Sequence, residues 1–388
     1  MTGLWFWVWS ALAAPLSAEE AVARSLQRSV EVAMASGDVD QARGEARGTA
    51  LFRSDPTVQG RWAAVGDLHG VSVSQPMSVT GEGLAAHRSA RARVESALSS
   101  EERTRLEIAA STRRAWSRAV EARQQVDLAE QALALATRLR EGAEAREATG
   151  EGSLLDARLA RLQESEARST WMVAVTEQGE RSAALSAATG VAIDALELPS
   201  DPLEAMPLFE ADGAPRSDVR AARGDLDAAR AQLASERRGV LPPVRVGVFY
   251  EEEGEELRVG SALSVTVPLW SRNAEGRARA QASVDVAEAR VAERERVVDA
   301  EQAATSWVLG TLEDAVDGAD PREEAMAALQ SVAVGFERGE LDLLTAGLLR
   351  RQILEGQRAW LVGRRVRAEA RIAAALAREA SALVGQSP

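Results

Sequence analysis

Two histidines are the main candidates for catalysis or metal binding in this chain of 388 residues, because it contains no cysteine. His69 and His87 fall on segments that we expect to diverge, so this pair does not predict a metal site. The lack of thiols also excludes disulfides and a thiol nucleophile. Neither histidine is placed as a general base, and the chain has no nucleophile-elbow or phosphate-loop motif. We therefore expect no catalytic residue, no cofactor and no resident metal.

Acidic residues are the other charged candidates, since 59 acidic side chains outnumber 46 basic ones and the net charge is −13. This balance disfavours nucleic acid as a partner. The acidic run Glu251–Glu256, interrupted by Gly254, is expected to form a solvated loop at the tip of a β-hairpin. The alternative for this run is a pore mouth that concentrates exported cations.

The N-terminal residues 1–18 carry no ionisable side chain and include the short apolar stretch Leu4–Trp9. The segment is similar to a secretory signal peptide, although the usual basic residue is missing, and a plain hydrophobic tail is the alternative. Cleavage could follow either Ala11-Leu12-Ala13 or Leu16-Ser17-Ala18. Beyond this segment no apolar run of about 18 residues occurs. A membrane crossing would therefore have to use β-strands.

The two halves of the chain repeat one another. Four landmarks recur in the same order at offsets of 187 to 192 residues. They are Gly37–Arg43 against Gly224–Arg230, Pro56 against Pro243, Val73–Pro76 against Val265–Pro268, and Gly150–Leu155 against Gly339–Leu344. We infer a tandem duplication. Its parts are the signal peptide (1–18), the first repeat (19–190), a proline-containing linker (191–215) and the second repeat (216–388).

Each repeat predicts a helix, a β-hairpin, a long helix, a tip turn and a return helix. The helical segments are rich in Ala, Arg, Glu and Leu, and their apolar residues recur at spacings of three and four. They cover 19–54, 80–147 and 153–190 in the first repeat, and 216–240, 274–337 and 341–384 in the second. Their small apolar side chains favour coiled-coil-like packing. The predicted fold is therefore mainly α, with long antiparallel helical hairpins.

The predicted β-hairpins lie between prolines, over 56–76 and 243–268. Valines and leucines alternate there with small or polar residues, as Val71 and Val73 alternate with serines. A wall between lipid and a wet lumen has this alternation. Aromatic side chains near the strand ends are expected at the membrane interface; they are Trp62, Phe249, Tyr250 and Trp270. The alternative is a sheet that caps a helical bundle in water.

Four strands are too few to close a barrel, and an open sheet edge is not tolerated in hydrocarbon. Several copies of the chain would therefore have to pool their strands. Three copies would supply a 12-stranded intersubunit barrel, and strand number alone does not exclude two copies.

The layout resembles the outer membrane efflux protein (TolC-like) family over nearly the whole mature chain. The residues that carry the resemblance are Arg216–Ala222 before a helix, Val265–Trp270 at a strand-to-helix junction, and Phe336–Leu344 at a helix turn. The sequences of Gly339–Leu344 and of Leu354–Leu361 resemble those of the heavy-metal (CzcC-like) branch of the family.

This resemblance implies a passive exit duct: a homotrimer in outer-membrane lipid, with an α-helical tunnel in the periplasm. The implied partners are a periplasmic adaptor protein and an inner-membrane transporter of the RND type. A type I secretion duct is an alternative, and so is a soluble periplasmic coiled-coil scaffold or adaptor.

The resemblance also implies that the turns at Gly150 and Gly339 contact the adaptor and that acidic residues surround a periplasmic aperture. The first repeat keeps the aspartate that many relatives have six residues after the turn glycine, as Asp156. The second repeat has Thr345 there. An acidic ring would thus depend on Asp156, aided by other carboxylates of the turns, which are Glu151, Glu340 and Asp342.

Overall fold

The structure is a computed structural model that describes residues 15–48, 55–63, 68–77, 80–199, 215–239, 244–253, 256–265, 273–315 and 321–384. Eight α-helices and four β-strands occur in these ranges. The first half contains α1 (Ala18–Arg28), α2 (Val30–Gly48), β1 (Thr57–Ala63), β2 (Leu68–Met77), α3 (Glu82–Thr149) and α4 (Leu154–Thr189). The second half contains α5 (Ser217–Arg238), β3 (Val244–Glu253), β4 (Glu256–Val265), α6 (Ala274–Ala315), α7 (Arg322–Glu337) and α8 (Leu343–Arg378). Short 3-10 helices cover Ile193–Ala195 and Ser381–Val384.

Two of the predicted helices are each divided in the structure. The helix expected over 19–54 is interrupted at Ser29, whose backbone is extended (φ −63°, ψ 125°) and caps α1. The helix expected over 274–337 is described as α6 and α7, and Pro321 stands at the N-cap of α7. Proline has no N–H to donate to the preceding turn, which makes it suited to the start of a helix and not to its interior.

The four strands form one antiparallel sheet in the order β1-β2-β3-β4. Val73 is paired with Val58 of β1 and Val248 of β3, and Val248 is paired with Ser261 of β4. The two hairpins predicted from the prolines therefore lie side by side through β2 and β3. Strands β1 and β4 each have one edge without a partner strand in the described part of the chain.

The chain divides into two compact units, which contain residues 1–29, 105–212 and 301–388, and residues 30–104 and 213–300. In the first unit, α7 and α8 pack against α3 and α4 around Leu139, Phe336 and Ala346. In the second unit, which contains the sheet, Leu226 and Leu233 of α5 pack against α6. Many buried residues in both units are alanines, as the composition predicted. No helix in the described ranges is both long and apolar enough to cross a membrane.

Candidate functional site

The turn between α3 and α4 is built around Gly150, which has a positive φ of 79°. The backbone N–H groups of Glu151 and Gly152 both donate to the carbonyl of Arg146, at 2.9 and 2.8 Å. These bonds satisfy carbonyls that the end of α3 would otherwise leave unpaired. A left-handed residue is needed for this geometry, and glycine adopts it without a steric cost.

The turn between α7 and α8 has the same hydrogen bonds 189 residues later. Gly339 has a φ of 76°, and the N–H groups of Glu340 and Leu341 donate to the carbonyl of Gly335 at 2.8 and 3.1 Å. Both glycines thus stand at the reversal between two helices. The duplication read from the sequence is therefore also present in the detailed backbone of the turns.

The helix that follows each turn begins with a pair of polar side chains whose types are exchanged between the repeats. The Ser153 hydroxyl accepts from the N–H of Asp156 at 3.1 Å and donates to its carboxylate at 2.8 Å. The Asp342 carboxylate accepts from the N–H of Thr345 at 2.7 Å and from its hydroxyl at 3.1 Å. Each turn therefore keeps one carboxylate in its cap, moved by three residues. This exchange explains why the second repeat has Thr345 at the place of Asp156.

The two turns lie next to each other in the first unit, a contact that the sequence did not predict. Phe336 is buried against Gly142. Its ring leaves no room for a side chain at that position, because a Cβ on Gly142 would lie 2.9 Å from the ring. The Arg146 guanidinium lies 5.5 Å from the centre of the Phe336 ring, within cation–π range. Its Nη2 would also lie 2.6 Å from a Cβ at Gly339. Arg146 thus reaches from the first turn to the second.

The carboxylates predicted for the aperture lie on or beside the two turns. Asp156 is half-buried in the first turn of α4, and the other three, Glu151, Glu340 and Asp342, are exposed. Within the described residues no group of three or more His, Asp or Glu side chains is arranged to hold a metal ion. The turns therefore present exposed charge rather than a coordination site.

The sheet has one apolar and one polar face, as the alternation predicted. The apolar face carries large side chains that are exposed, and Val259 and Leu263 of β4 are 72% and 73% exposed. The other apolar members of this face include Val58, Val71, Val73, Val246, Val248, Leu257 and Val265. The same register also places four polar residues on this face, which are His69, Gln75, Glu252 and Ser261. The opposite face carries Ser72, Ser74 and Gly247, and an ion pair joins Arg61 to Glu251 at 3.7 Å.

The predicted interface aromatics do not all lie on the apolar face. Trp62 and Tyr250 belong to it and are 80% and 43% exposed. Phe249 lies on the polar face, over Gly260, where a Cβ would approach the ring to 2.6 Å. Trp270 lies outside the described residues. The sequence could have predicted this difference, because Phe249 lies between Val248 and Tyr250 and successive side chains of a strand point to opposite faces.

The acidic run lies largely in strands, and the two histidines lie on a strand and a helix. Glu251 and Glu252 belong to β3, and β4 begins at Glu256, so much of the run extends the strands rather than forming a loop. Residues 254 and 255 lie outside the described ranges. His69 lies in β2, paired with Trp62, and His87 lies in α3.

Substitution of Gly150 by alanine is expected to lower the free energy of unfolding by about 1–2 kcal/mol, the cost of a left-handed L-residue. No atom lies within 4 Å of the added Cβ, so the loss is conformational rather than steric. Gly179 is the matched control, because it lies inside α4 with the same open space around it. Gly179→Ala should stabilise by about 0.5–1 kcal/mol, since alanine favours helix. Thermal unfolding of both variants checks the opposite signs, and equal signs would contradict the turn geometry.

The cap at Asp342 is expected to weaken in acid. The hydrogen bond from the Thr345 N–H, and next that from its hydroxyl, hold the pKa of Asp342 below its ordinary value. Its stabilising contribution is therefore complete above the ordinary aspartate pKa and is lost as the pH falls through the lowered folded value. The melting temperature of wild type should drop relative to Asp342→Ser between about pH 6 and about pH 2.5, because serine caps without titrating. Parallel curves would contradict this prediction.

Three solved structures of membrane proteins are similar to the chain over nearly its whole length. CusC, whose structures concern transmembrane channel formation, has 16% identity, a TM-score of 0.74 and coverage of 93% of this chain and 91% of its own. The outer membrane protein VceC of Vibrio cholerae has 19% identity, a TM-score of 0.72 and coverage of 94% and 96%. The CmeC outer membrane channel of Campylobacter jejuni has 13% identity, a TM-score of 0.75 and coverage of 95% and 87%.

No family model matches the sequence. No curated protein matches it significantly. The structural similarity agrees with the resemblance to TolC-like channels at the level of the fold, and it does not distinguish a heavy-metal branch. Long helical hairpins and a four-stranded antiparallel sheet give this chain the same fold as these three membrane proteins.

Proposed function

We propose that the chain is the passive outer-membrane exit duct of a tripartite efflux pump. The observation that carries this proposal is the apolar face of the sheet, where valines, leucines, Trp62 and Tyr250 are exposed along all four strands. A contiguous apolar surface of this kind is costly in water and favourable in lipid. A soluble scaffold or adaptor would leave that face in water, which disfavours this alternative.

Assembly of several copies is supported by the edges of β1 and β4 that have no partner strand in the described part of the chain. Backbone groups at an edge have no water to bind inside a bilayer, so β1 of one copy would pair with β4 of the next. Three copies give a barrel of 12 strands, and the polar face with Arg61 and Glu251 then lines its lumen. Exposed leucines on α4, such as Leu155 (64%) and Leu162 (67%), support further contact between copies.

The paired turns at Gly150 and Gly339 are proposed as the contact surface for a periplasmic adaptor protein, and a transporter of the inner membrane, of RND type, would supply the cargo. Asp156 would contribute a ring of three carboxylates at the aperture. Charges held close in such a ring attract cations. Single-channel recordings should show lower cation preference for Asp156→Asn than for wild type, and an unchanged preference would remove Asp156 from the mechanism.

Heat-modifiable migration in the outer-membrane fraction tests the proposed function directly. A barrel made of several chains should migrate as an oligomer in detergent before heating and as a monomer after it. The purified chain should require detergent or lipid to stay in solution. A monomer that remains soluble without either would overturn the duct and favour a water-soluble scaffold.

We also infer that export involves cleavage after Ala13 rather than after Ala18. Leu16 is 6% exposed, and its carbonyl accepts from the Trp116 indole N–H at 2.7 Å. Ser17 caps the N-terminus of α1. Cleavage after Ala18 would remove both residues, whereas cleavage after Ala13 retains them.

Intact-mass measurement of the protein from the outer-membrane fraction distinguishes the two sites. A chain that begins at Ala14 is expected. A chain that begins at Glu19 would show that the contacts of Leu16 and Ser17 are dispensable.

A further inference from the structure

A groove of about 560 Å³ opens within the first unit between α3, α4 and α8. This volume is in the range of small-molecule sites in proteins. Its wall is mainly aliphatic, and the apolar lining includes Leu128, Ala132, Ala167, Val173, Leu344 and Leu348. Such a wall suits a hydrocarbon chain, because burial of apolar surface drives binding without directional contacts.

One charged side chain in this groove forms no ion pair with any of the described residues. Arg350 lines the groove and is only 6% exposed. Within the described residues, its Nε and Nη1 are buried and lack any hydrogen-bond partner. Gln163, on the opposite helix, also has a buried carbonyl oxygen without a partner. Burial lowers the pKa of Arg350, and the nearby charge of Glu166 partly opposes this shift. Arginine nevertheless stays charged, so a buried donor pair is left unsatisfied.

The duplication explains how this arginine lost its partner. The equivalent residue in the first repeat, 189 positions earlier, is Arg161, whose Nε donates to Glu144 at 2.7 Å. The equivalent of Glu144 in the second repeat is Ala333, which is buried in the apolar core. The second repeat thus has alanine in place of the carboxylate and the same guanidinium group.

The same replacement extends to the neighbours of Arg161. Arg140 pairs with Glu144 at 2.7 Å and with Glu164 at 2.8 Å, so the first repeat has a charged seam between α3 and α4. The equivalents of Arg140 and Glu164 are Leu329 and Ile353, which belong to or pack against the apolar core. In the second repeat Arg350 is therefore a charged residue among equivalents that are apolar.

The other charged groups of the groove form no ion pair with Arg350 within the described residues, although the charge of Glu166 acts on it from a distance. Arg351 and Glu355 pair with each other at 2.8 Å. Glu166, Glu177 and Arg358 line the groove, but none of them forms an ion pair with Arg350 in the described part of the chain. An external carboxylate is therefore the group that would satisfy the two free donors, through charge-assisted hydrogen bonds.

We propose that this groove binds an aliphatic carboxylate, with its head group on Arg350 and its chain along the leucine and alanine wall. All residues that line the site belong to one chain, and its test rests on the proposed function only in using the protein in lipid. The competing occupant is a glutamate or aspartate of another polypeptide, either a second copy or a partner, which would leave both probes unbound.

Binding of dodecanoate and of dodecanol to the full-length assembled protein in lipid nanodiscs tests the site, with empty nanodiscs to subtract partition into lipid. Wild type should bind the carboxylate about tenfold or more tightly than the alcohol, since only the carboxylate pairs with Arg350. Arg350→Met should lose this preference while still binding the alcohol. Arg161→Met is the matched control, and it should retain the full preference because it changes the equivalent residue outside the groove.

Three outcomes would overturn the proposal. Wild type could bind dodecanoate and dodecanol with equal affinity, which would show without any variant that the carboxylate is not recognised. The preference could survive in Arg350→Met. The assembled protein could bind neither probe, which would exclude a site for an aliphatic carboxylate. Melting curves should show that Arg350→Met is folded, as expected for replacement of an unpaired buried charge by an apolar side chain.

Discussion

Phe336→Ala is expected to lower the free energy of unfolding of the first unit by about 3–5 kcal/mol, the usual cost of removing a buried phenylalanine. The ring is 3% exposed and fills the space above Gly142. Its loss also removes the cation–π partner of Arg146. Thermal unfolding of the purified full chain, followed by circular dichroism, measures the change. Phe336→Leu is the graded control and should cost less than about 1.5 kcal/mol.

A double substitution tests whether the Phe336 ring packs directly against Gly142. Gly142→Ala alone should destabilise by about 1–3 kcal/mol, because its Cβ would lie 2.9 Å from the Phe336 ring. In the background of Phe336→Ala the same methyl group has room, so its effect should be much smaller. Additive effects of the two substitutions would contradict the direct contact.

Val73→Arg is expected to reduce the amount of assembled oligomer in the outer membrane, and this is the largest effect that we predict for the proposed duct. Val73 lies near the middle of β2 on the apolar face, between Val58 and Val248. An arginine that faces lipid at the bilayer midplane costs about 2–4 kcal/mol for each chain. The heat-modifiable band in the outer-membrane fraction provides the measurement.

Ser72→Arg is the matched control for this substitution. Ser72 is the preceding residue and lies on the polar face, between Gln59 and Phe249. An arginine there would face the proposed lumen, so assembly should remain close to wild type. Equal loss of oligomer in both variants would show that the apolar face is not in contact with lipid.

The two faces of the sheet and the positions of the two turns could be predicted from sequence because each depends on a local rule. Alternation of Val71 and Val73 with serines fixes which face each residue occupies. Gly150 and Gly339 follow from the need for a positive φ at a tight reversal. Such rules need no knowledge of distant parts of the chain.

Other features could not be predicted because they depend on contacts between segments that are far apart in sequence. The contact of Phe336 with Gly142 joins residues of different repeats. The isolation of Arg350 becomes visible only when its burial is compared with the ion pair of Arg161. The N-cap of α7 at Pro321 falls inside the segment 274–337, whose apolar periodicity predicts one helix, because periodicity alone does not mark where a new helix begins.

Ion pairs join α3 to α4 in the first repeat, whereas the equivalent residues of the second repeat are apolar. The stability of the two helical hairpins should therefore depend differently on ionic strength. Dissolved salt screens the attraction of Arg140 and Arg161 for their carboxylates, which are partly exposed. The contacts of Leu329 and Ala333 in the apolar cluster carry no charge to screen, and salting-out anions such as sulfate strengthen them. A concentrated sulfate solution would therefore weaken the ion pairs of one helical hairpin while it strengthens the apolar packing of the other.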